Sequence, residues 1–420
     1  MRHESLSGPT LPKNQKNSSA LCLALVAAAV LGMAAQPSHS GLEFIDTSFE
    51  NASPLWYDTA PDGTIQLHLL YDHERSSINR AAGHVHFRMH ANTGTKLTLE
   101  FKNIDNVWNG QPGSVAGELK TMVISEDGRQ WKSVPTDSLP GNRVRLSVSM
   151  PGPSLFVARL EPYRLSDVDR LLTSIRQNPR AEVSAIGKTV GGRELEIARI
   201  GDERAPYRAF VRARAHPWEA GSSWVAQGLV ERLLENDAEA RKFLERYTVY
   251  VLPMANKDGV ARGGTRFNVL GKDLNRNWDK RADPQYSPEN AALERWLEGM
   301  IAAGRKPHLA LELHNDGRGL LHISRPPVAQ LQQHLSRMAI LEGLLRKKTW
   351  FTEGHTTSEF RNSGTLGDGW LERFGVDAVV HEFNCNWIAG LKEYPSGQHW
   401  RAYGASLAEV FYDYFGEVKP

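Results

Sequence analysis

Residues 209–234 read AFVRARAHPWEAGSSWVAQGLVERLL. A strand-like run of seven residues leads into His216-Pro217-Trp218-Glu219, and from Ser222 to Leu234 the apolar residues recur with a helical period. Strand, short turn and helix in that order are the unit of an α/β domain, in which ligands gather beyond the carboxyl ends of the strands. His216 and Glu219 fall in that turn. An imidazole and a carboxylate three residues apart make half of a divalent-metal site, although such a pair on its own also arises as an ordinary surface contact.

Working outward, YTVYVLPMA (247–255), Pro307 to Leu313 and Val376 to Phe383 are further strand-like apolar runs with helical patterns between them. Four buried strands of this kind predict a mixed, largely parallel central sheet with flanking helices. Upstream, Ser166-x-x-Asp169 predicts a capped helix reaching about Arg176. The run LALELHNDG (309–317) brings His314 to the same sheet edge as His216, where it either joins the metal site or closes the strand end by bonding Asp316. Two histidines and a glutamate with an open fourth position form a catalytic zinc pattern. In VDAVVHEFNCN (376–386), Glu382 ends a strand, and a carboxylate beside a metal-activated water is the general base that hydrolysis needs. Its neighbour His381 is expected on the opposite face.

Between these elements lies PMANKDGVARGGTRFNVLGKDLNRNWD (253–279), a polar, Gly-rich loop that delivers Arg266, Asp273, Asn275 and Arg276. A guanidinium fork beside an amide donor suits a carboxylate held at two points, while a plain salt bridge for Arg276 is the structural alternative. Gly187-Lys188-Thr189 is not a phosphate loop, because Glu182 stands where the first glycine is required. The chain also lacks a Gly-x-Ser-x-Gly elbow, a His-Glu-x-x-His helix and a Cys-x-x-Cys pair.

Ahead of the α/β part, IQLHLLY, HVHFRMH, KLTLEFKNI, TMVISEDG, RVRLSVSM and LFVARLEP alternate between about Ile65 and Leu160, broken by Gly, Pro, Asn and Asp. Strands of this length predict an antiparallel β-sandwich. Within it His84, His86, Arg88 and His90 share one strand face and Val85, Phe87 and Met89 the other, so the histidines are expected on a solvated face rather than around a metal. At the N-terminus, Lys13 and Lys16 precede the 16-residue apolar run Ala20–Ala35, the pattern of a secretory signal and too short to span a membrane. The expected organisation is a signal peptide over 1–40, a β-sandwich domain over 41–163 and a catalytic domain over 164–420. Removal of the signal takes Cys22 with it and leaves Cys385 alone, so the mature chain forms no internal disulfide. The 420 residues are 40% apolar, enough for large cores, and 50 Lys plus Arg against 48 Asp plus Glu leave a charge of +2. That balance argues against a nucleic-acid or polybasic membrane role.

HPWEAGSSWV (216–225), PMANKDGV (253–260), GTRFNVLGKDLNRNW (264–278) and the terminal Glu382, in that order, give the chain from about Ser184 to Phe415 a resemblance to the zinc metallocarboxypeptidases of the carboxypeptidase A type. The wording of these motifs and the all-β segment in front, FRMHANTGTKLTLEFKNI (87–104) included, most resemble the cytosolic carboxypeptidase branch. The resemblance implies one Zn²⁺ held by His216, Glu219 and His314, with Asp273 orienting the His216 ring. It implies that Asn275 and Arg276 hold the substrate's terminal carboxylate, that Arg266 polarises the scissile carbonyl and that Glu382 activates the water. The family tyrosine that closes over the substrate about twenty residues before the glutamate has no counterpart: residues 351–381 contain no Tyr, and Phe360 is the nearest aromatic. The expected protein is therefore an exported zinc carboxypeptidase, periplasmic or extracellular, acting on peptide or protein C-termini, with no membrane span once the signal is gone. A cell-wall peptide hydrolase on the same scaffold is the rival enzyme, and a catalytically dead peptide-binding protein the rival of another class.

Overall fold

A computed structural model describes residues 41–73, 80–108, 110–357 and 364–418. The predicted signal segment and Phe360 lie outside the described residues. The described residues from Gly41 onward pack as one compact unit.

The N-terminal part holds two five-stranded sheets. One runs in the order β1 (Leu42–Asp46), β4 (His86–Ala91), β12 (Ser154–Ala158), β8 (Thr121–Ser125), β9 (Lys132–Pro135). The other runs β10 (Asp137–Leu139), β11 (Arg143–Ser149), β5 (Lys96–Lys102), β3 (Ile65–Leu69), β2 (Leu55–Thr59), and a small ribbon pairs β6 (Asp105–Trp108) with β7 (Gln111–Ser114). The strict period of two sends Ile65, Leu67 and Leu69, Phe87 and Met89, and Leu97, Leu99 and Phe101 into one shared core. The six expected strands are present, with one correction: β3 pairs with β5 in parallel, so the sandwich is not wholly antiparallel. A second correction concerns the histidine face. His84 and His86 are buried, both facing the carbonyl of Asn51, because residues 49–53 fold over that side of the sheet and Phe49 packs edge-on against His86.

The C-terminal part is built on a seven-stranded sheet in the order β13 (Ala181–Lys188), β14 (Glu194–Ile200), β16 (Tyr247–Leu252), β15 (Tyr207–Ala213), β17 (Leu309–Asp316), β19 (Asp377–Asn384), β18 (Leu321–Ile323). Its four central strands, β16, β15, β17 and β19, are mutually parallel, and these are the four apolar runs read from sequence. The pairings β13–β14, β14–β16 and β18–β19 are antiparallel, so the sheet is evenly mixed rather than largely parallel. One face packs against α1 (Leu165–Arg176), α2 (Ala220–Leu234), α3 (Ala238–Arg246), α6 (Leu331–Lys348) and α8 (Gly397–Glu417). The other packs against α5 (Pro288–Ala302) and α7 (Leu366–Phe374), with the short α4 (Lys257–Ala261) following β16. Helices α2 and α8 cross backbone to backbone, since a Cβ on Gly228 would strike the Arg401 carbonyl and one on Gly404 the Val225 carbonyl. The start of α1 differs from expectation: Asp167 caps it by accepting from the Arg164 amide, while Ser166 donates to Glu50.

Candidate metal centre and active site

Strands β15, β17 and β19 end at the same edge, and their parallel registry sets His314 opposite Glu382. His216 follows β15 after a turn in which Arg214 adopts a left-handed φ of 63°. That strained residue is held by its own side chain, which donates to the carbonyls of Pro217 at 2.8 Å and Tyr163 at 2.9 Å.

One ligand atom from each of His216, Glu219 and His314 lies within 4.8 Å of the other two. The Glu219 carboxylate receives both rings: Oε1 lies 2.8 Å from His216 Nδ1 and Oε2 lies 2.6 Å from His314 Nδ1. Burial works against the Glu219 charge, yet the two imidazoles outweigh it and hold the group below the usual carboxylate range. Two imidazoles turning the same ring nitrogen to one ionised carboxylate form a donor set that fits zinc. Asp273 faces the far side of the His216 ring, with Oδ1 at 3.0 Å from Nε2, and receives Arg266 Nε on Oδ2 at 2.8 Å. Burial opposes the Asp273 charge, and Arg266, His216 and Arg276 together hold the group well below the usual carboxylate range.

These groups open on a cleft of about 210 Å³ whose walls also carry Arg266, Asn275, Arg276 and Glu382. Burial and the neighbouring Asp316 raise Glu382 well above the ordinary carboxylate range, with His314 pulling the other way. Its Oε1 is 3.8 Å from His322 Nε2, and Asp316, His322 and Glu382 form a second close group. His381 points away, as expected, with Nε2 2.6 Å from the Tyr403 hydroxyl. The structure brings all eight expected residues together. Asn275 is turned further inward than expected: its Oδ1 accepts from the Leu366 amide and its Nδ2 lies 3.0 Å from His314 Nε2. Arg276 donates one bond to the Asn275 carbonyl and faces the cleft.

Several contributors were not foreseen. Trp218, between the two ligands, is buried in the core of the sandwich, and the Arg159 guanidinium lies 3.4 Å above its ring. Trp108 of β6 and Glu118 line the cleft from the sandwich side, Trp108 beneath the Arg266 guanidinium at 5.0 Å. Burial pushes Glu118 up to about 7 against the pull of Arg159. Asp72 accepts from the amides of Thr265, Arg266 and Phe267 at 2.6, 2.5 and 3.0 Å and so fixes the loop that carries Arg266. A motif search could not find these residues, because each reaches the site through tertiary packing.

Residues 169–308 match the family model described as zinc carboxypeptidase. Mouse cytosolic carboxypeptidase 1 is 35% identical over 113 residues, which cover 27% of this chain and 9% of that protein. An uncharacterised protein of Zymomonas mobilis is 29% identical over 169 residues, 40% of this chain and 43% of that protein. The chain thus spans less than half the length of these curated relatives. Among solved structures, a metallo-carboxypeptidase from Burkholderia cenocepacia superposes with a TM-score of 0.75 at 22% identity, covering 88% of this chain and 98% of that one. A metallo-carboxypeptidase from Pseudomonas aeruginosa gives a TM-score of 0.74 at 21% identity, over 89% and 100%. These two structures share the fold over nearly all of the described residues, and the zinc carboxypeptidase match over 169–308 takes in His216, Glu219 and the Arg266–Arg276 loop: this part of the chain is similar to zinc carboxypeptidases, with cytosolic carboxypeptidases among its relatives.

Proposed function

We propose that this protein is an exported zinc-dependent metallocarboxypeptidase that hydrolyses the C-terminal peptide bond of peptides or proteins. The observation that carries the reading is the convergence of His216, Glu219 and His314 on one side of a cleft with Arg276 and Glu382 on its other walls. His216, Glu219 and His314 would hold the ion. When bound there, zinc supplies a Lewis acid for the scissile carbonyl and lowers the proton affinity of water.

The remaining chemistry belongs to the chain itself. Arg276 pairs with the free α-carboxylate of the substrate and so sets the scissile bond one residue from the end. Arg266, steadied by Asp273 and Asp72, donates to the carbonyl oxygen as negative charge develops on it. Glu382 takes the proton from the attacking water and returns it to the leaving amine, a role suited to a carboxylate whose proton affinity is already raised. The division at about residue 163 and export through residues 1–40 belong to the same proposal, the latter checked by N-terminal sequencing of the mature protein. Among the described residues no helix is long and apolar enough to cross a membrane.

The test is a pair of peptides identical except for C-terminal amidation, assayed on wild type and Arg276→Ala with and without chelator. An amide leaves the guanidinium without its charge partner, so the wild type should favour the free acid by about 30-fold to several thousand-fold. Arg276→Ala should abolish that preference, and chelator should abolish turnover. Equal cleavage of both peptides by the wild type would replace the exopeptidase reading with an amidase or endopeptidase one.

A further inference from the structure

The alternation of β17 that turns His314 toward Glu219 places Glu312, two residues back, on the same face of the strand. Glu312 is wholly buried. Its Oε1 lies 3.2 Å from His314 Nε2, on the side of the ring away from Glu219. Its Oε2 makes an ion contact of 3.4 Å with Nε of Arg212, itself buried on the neighbouring β15. Arg212 in turn donates to the carbonyl of Leu274 at 2.8 Å, the residue between Asp273 and Asn275. The opposite ligand has the same build: Nε2 of His216 faces Asp273, and Asp273 is backed by Arg266.

A second group competes for His314 Nε2. Asn275 Nδ2 is 3.0 Å away, and its amide cannot be reversed without losing the bond that Oδ1 accepts from the Leu366 amide. Nδ2 is therefore a donor, and it can bond Nε2 only when that nitrogen carries no hydrogen. A ring that gives its Nδ1 lone pair to a metal carries its hydrogen on Nε2. That hydrogen can be donated to a carboxylate but not to an amide NH₂ group.

We propose that Glu312 is a positioning residue for the metal site, holding His314 as the Nε2–H tautomer with Nδ1 free for the ion, and that Arg212 locks Glu312 in place and ties it to the 273–276 loop. This rests on the reading of His216, Glu219 and His314 as the ligands. It also assigns the buried Arg212–Glu312 pair a task beyond folding.

Zinc affinity by chelator competition is the first measurement. Glu312→Gln should bind zinc about 10- to 100-fold more weakly than wild type. The cobalt-substituted variant should show displaced visible absorption bands, whereas its circular dichroism should stay near that of wild type. Because Glu312→Gln leaves Arg212 facing a neutral partner, the double variant Arg212→Met/Glu312→Leu serves as a version with no buried charge, and it should show the same loss of affinity. A third arm needs no variant: in ¹⁵N-histidine spectra of the zinc-loaded wild type, His314 should carry a slowly exchanging hydrogen on Nε2, assigned against His314→Gln. Unchanged zinc affinity and cobalt spectrum in a folded variant, or a His314 hydrogen on Nδ1 in the loaded wild type, would overturn the assignment. If the wild type itself binds no stoichiometric zinc, the metal-site reading fails first.

Discussion

Glu382 closes β19 in surroundings hostile to its charge: it is walled in by protein, with Asp316, Glu219 and Glu118 all close enough to raise its proton affinity. A carboxylate stored in that way returns little in stability and is suited to proton transfer. It is not among the three residues that converge on the metal position, so its removal should separate chemistry from binding. Glu382→Gln keeps the shape of the side chain and relieves the repulsion, and the variant should fold, bind zinc stoichiometrically and bind peptide. Its turnover should fall by about 10²-fold or more with little change in KM. Single-turnover kinetics beside a zinc assay check this, and a Glu382→Gln enzyme that turns over normally would remove the residue from the mechanism.

At the level of elements, the active site is shared between two folds that look independent in the sequence. The turn after β15 sends Trp218 into the sandwich core while His216 and Glu219 on either side of it face the metal position, so the sandwich anchors the ligand turn. Asp72, just after β3, does the same for the Arg266 loop by accepting three consecutive amides. Replacing it with Ala leaves those amides unpaired, a loss of about 1–3 kcal/mol for each one that water does not reach. Asp72→Ala should therefore lower kcat through Arg266 by more than it lowers zinc affinity, which Arg266 reaches only indirectly, through Asp273 and His216. Parallel measurement of kcat and zinc affinity decides it, and loss of both to the same degree would mean that Asp72 merely supports the fold. The sequence made the four central strands legible because parallel strands covered on both faces must be apolar throughout. Edge elements such as β1, β2, β9, β10 and β13 are half exposed and carry no such run, while β14 is mostly buried but its apolar run is broken by Glu194, Glu196 and Arg199. His216, Glu219, His314 and Glu382 were legible because their chemistry is confined to short motifs at strand ends. Glu312, Asp72 and Trp218 were not, since nothing local distinguishes a buried carboxylate or indole that works on a neighbour from one that does not.

On the scale of the whole molecule, the surface joining the sandwich to the α/β part traps histidines as neutral rings. His84 and His86 both face the Asn51 carbonyl, and the backbone of His84 is tied to Thr265 beside the Arg266 loop. Burial pushes His84 down to about 4 and His86 down to about 3. In the unfolded chain both take up a proton as pH falls through about 6.5, while in the folded protein they do not until near those lower values. Between these limits the unfolded state binds more protons, so each ring makes folding less favourable as pH falls, by about 1.4 kcal/mol per pH unit per proton. Glu118 acts in the opposite direction. Raised to about 7, it takes up its proton in the folded state first and adds stability as pH falls toward 4.5. The net curve mixes these signs, whereas the difference between wild type and a single variant does not. His86→Gln keeps an amide donor for the Asn51 carbonyl and removes the titration. Measured by urea unfolding with zinc held in excess, the stability difference between wild type and His86→Gln should therefore drift toward the variant from pH 6.5 to pH 4.5, with a slope approaching one proton. A difference that stays constant across that range would mean that His86 is protonated in the folded protein, and that residues 49–53 do not seal this side of the sandwich.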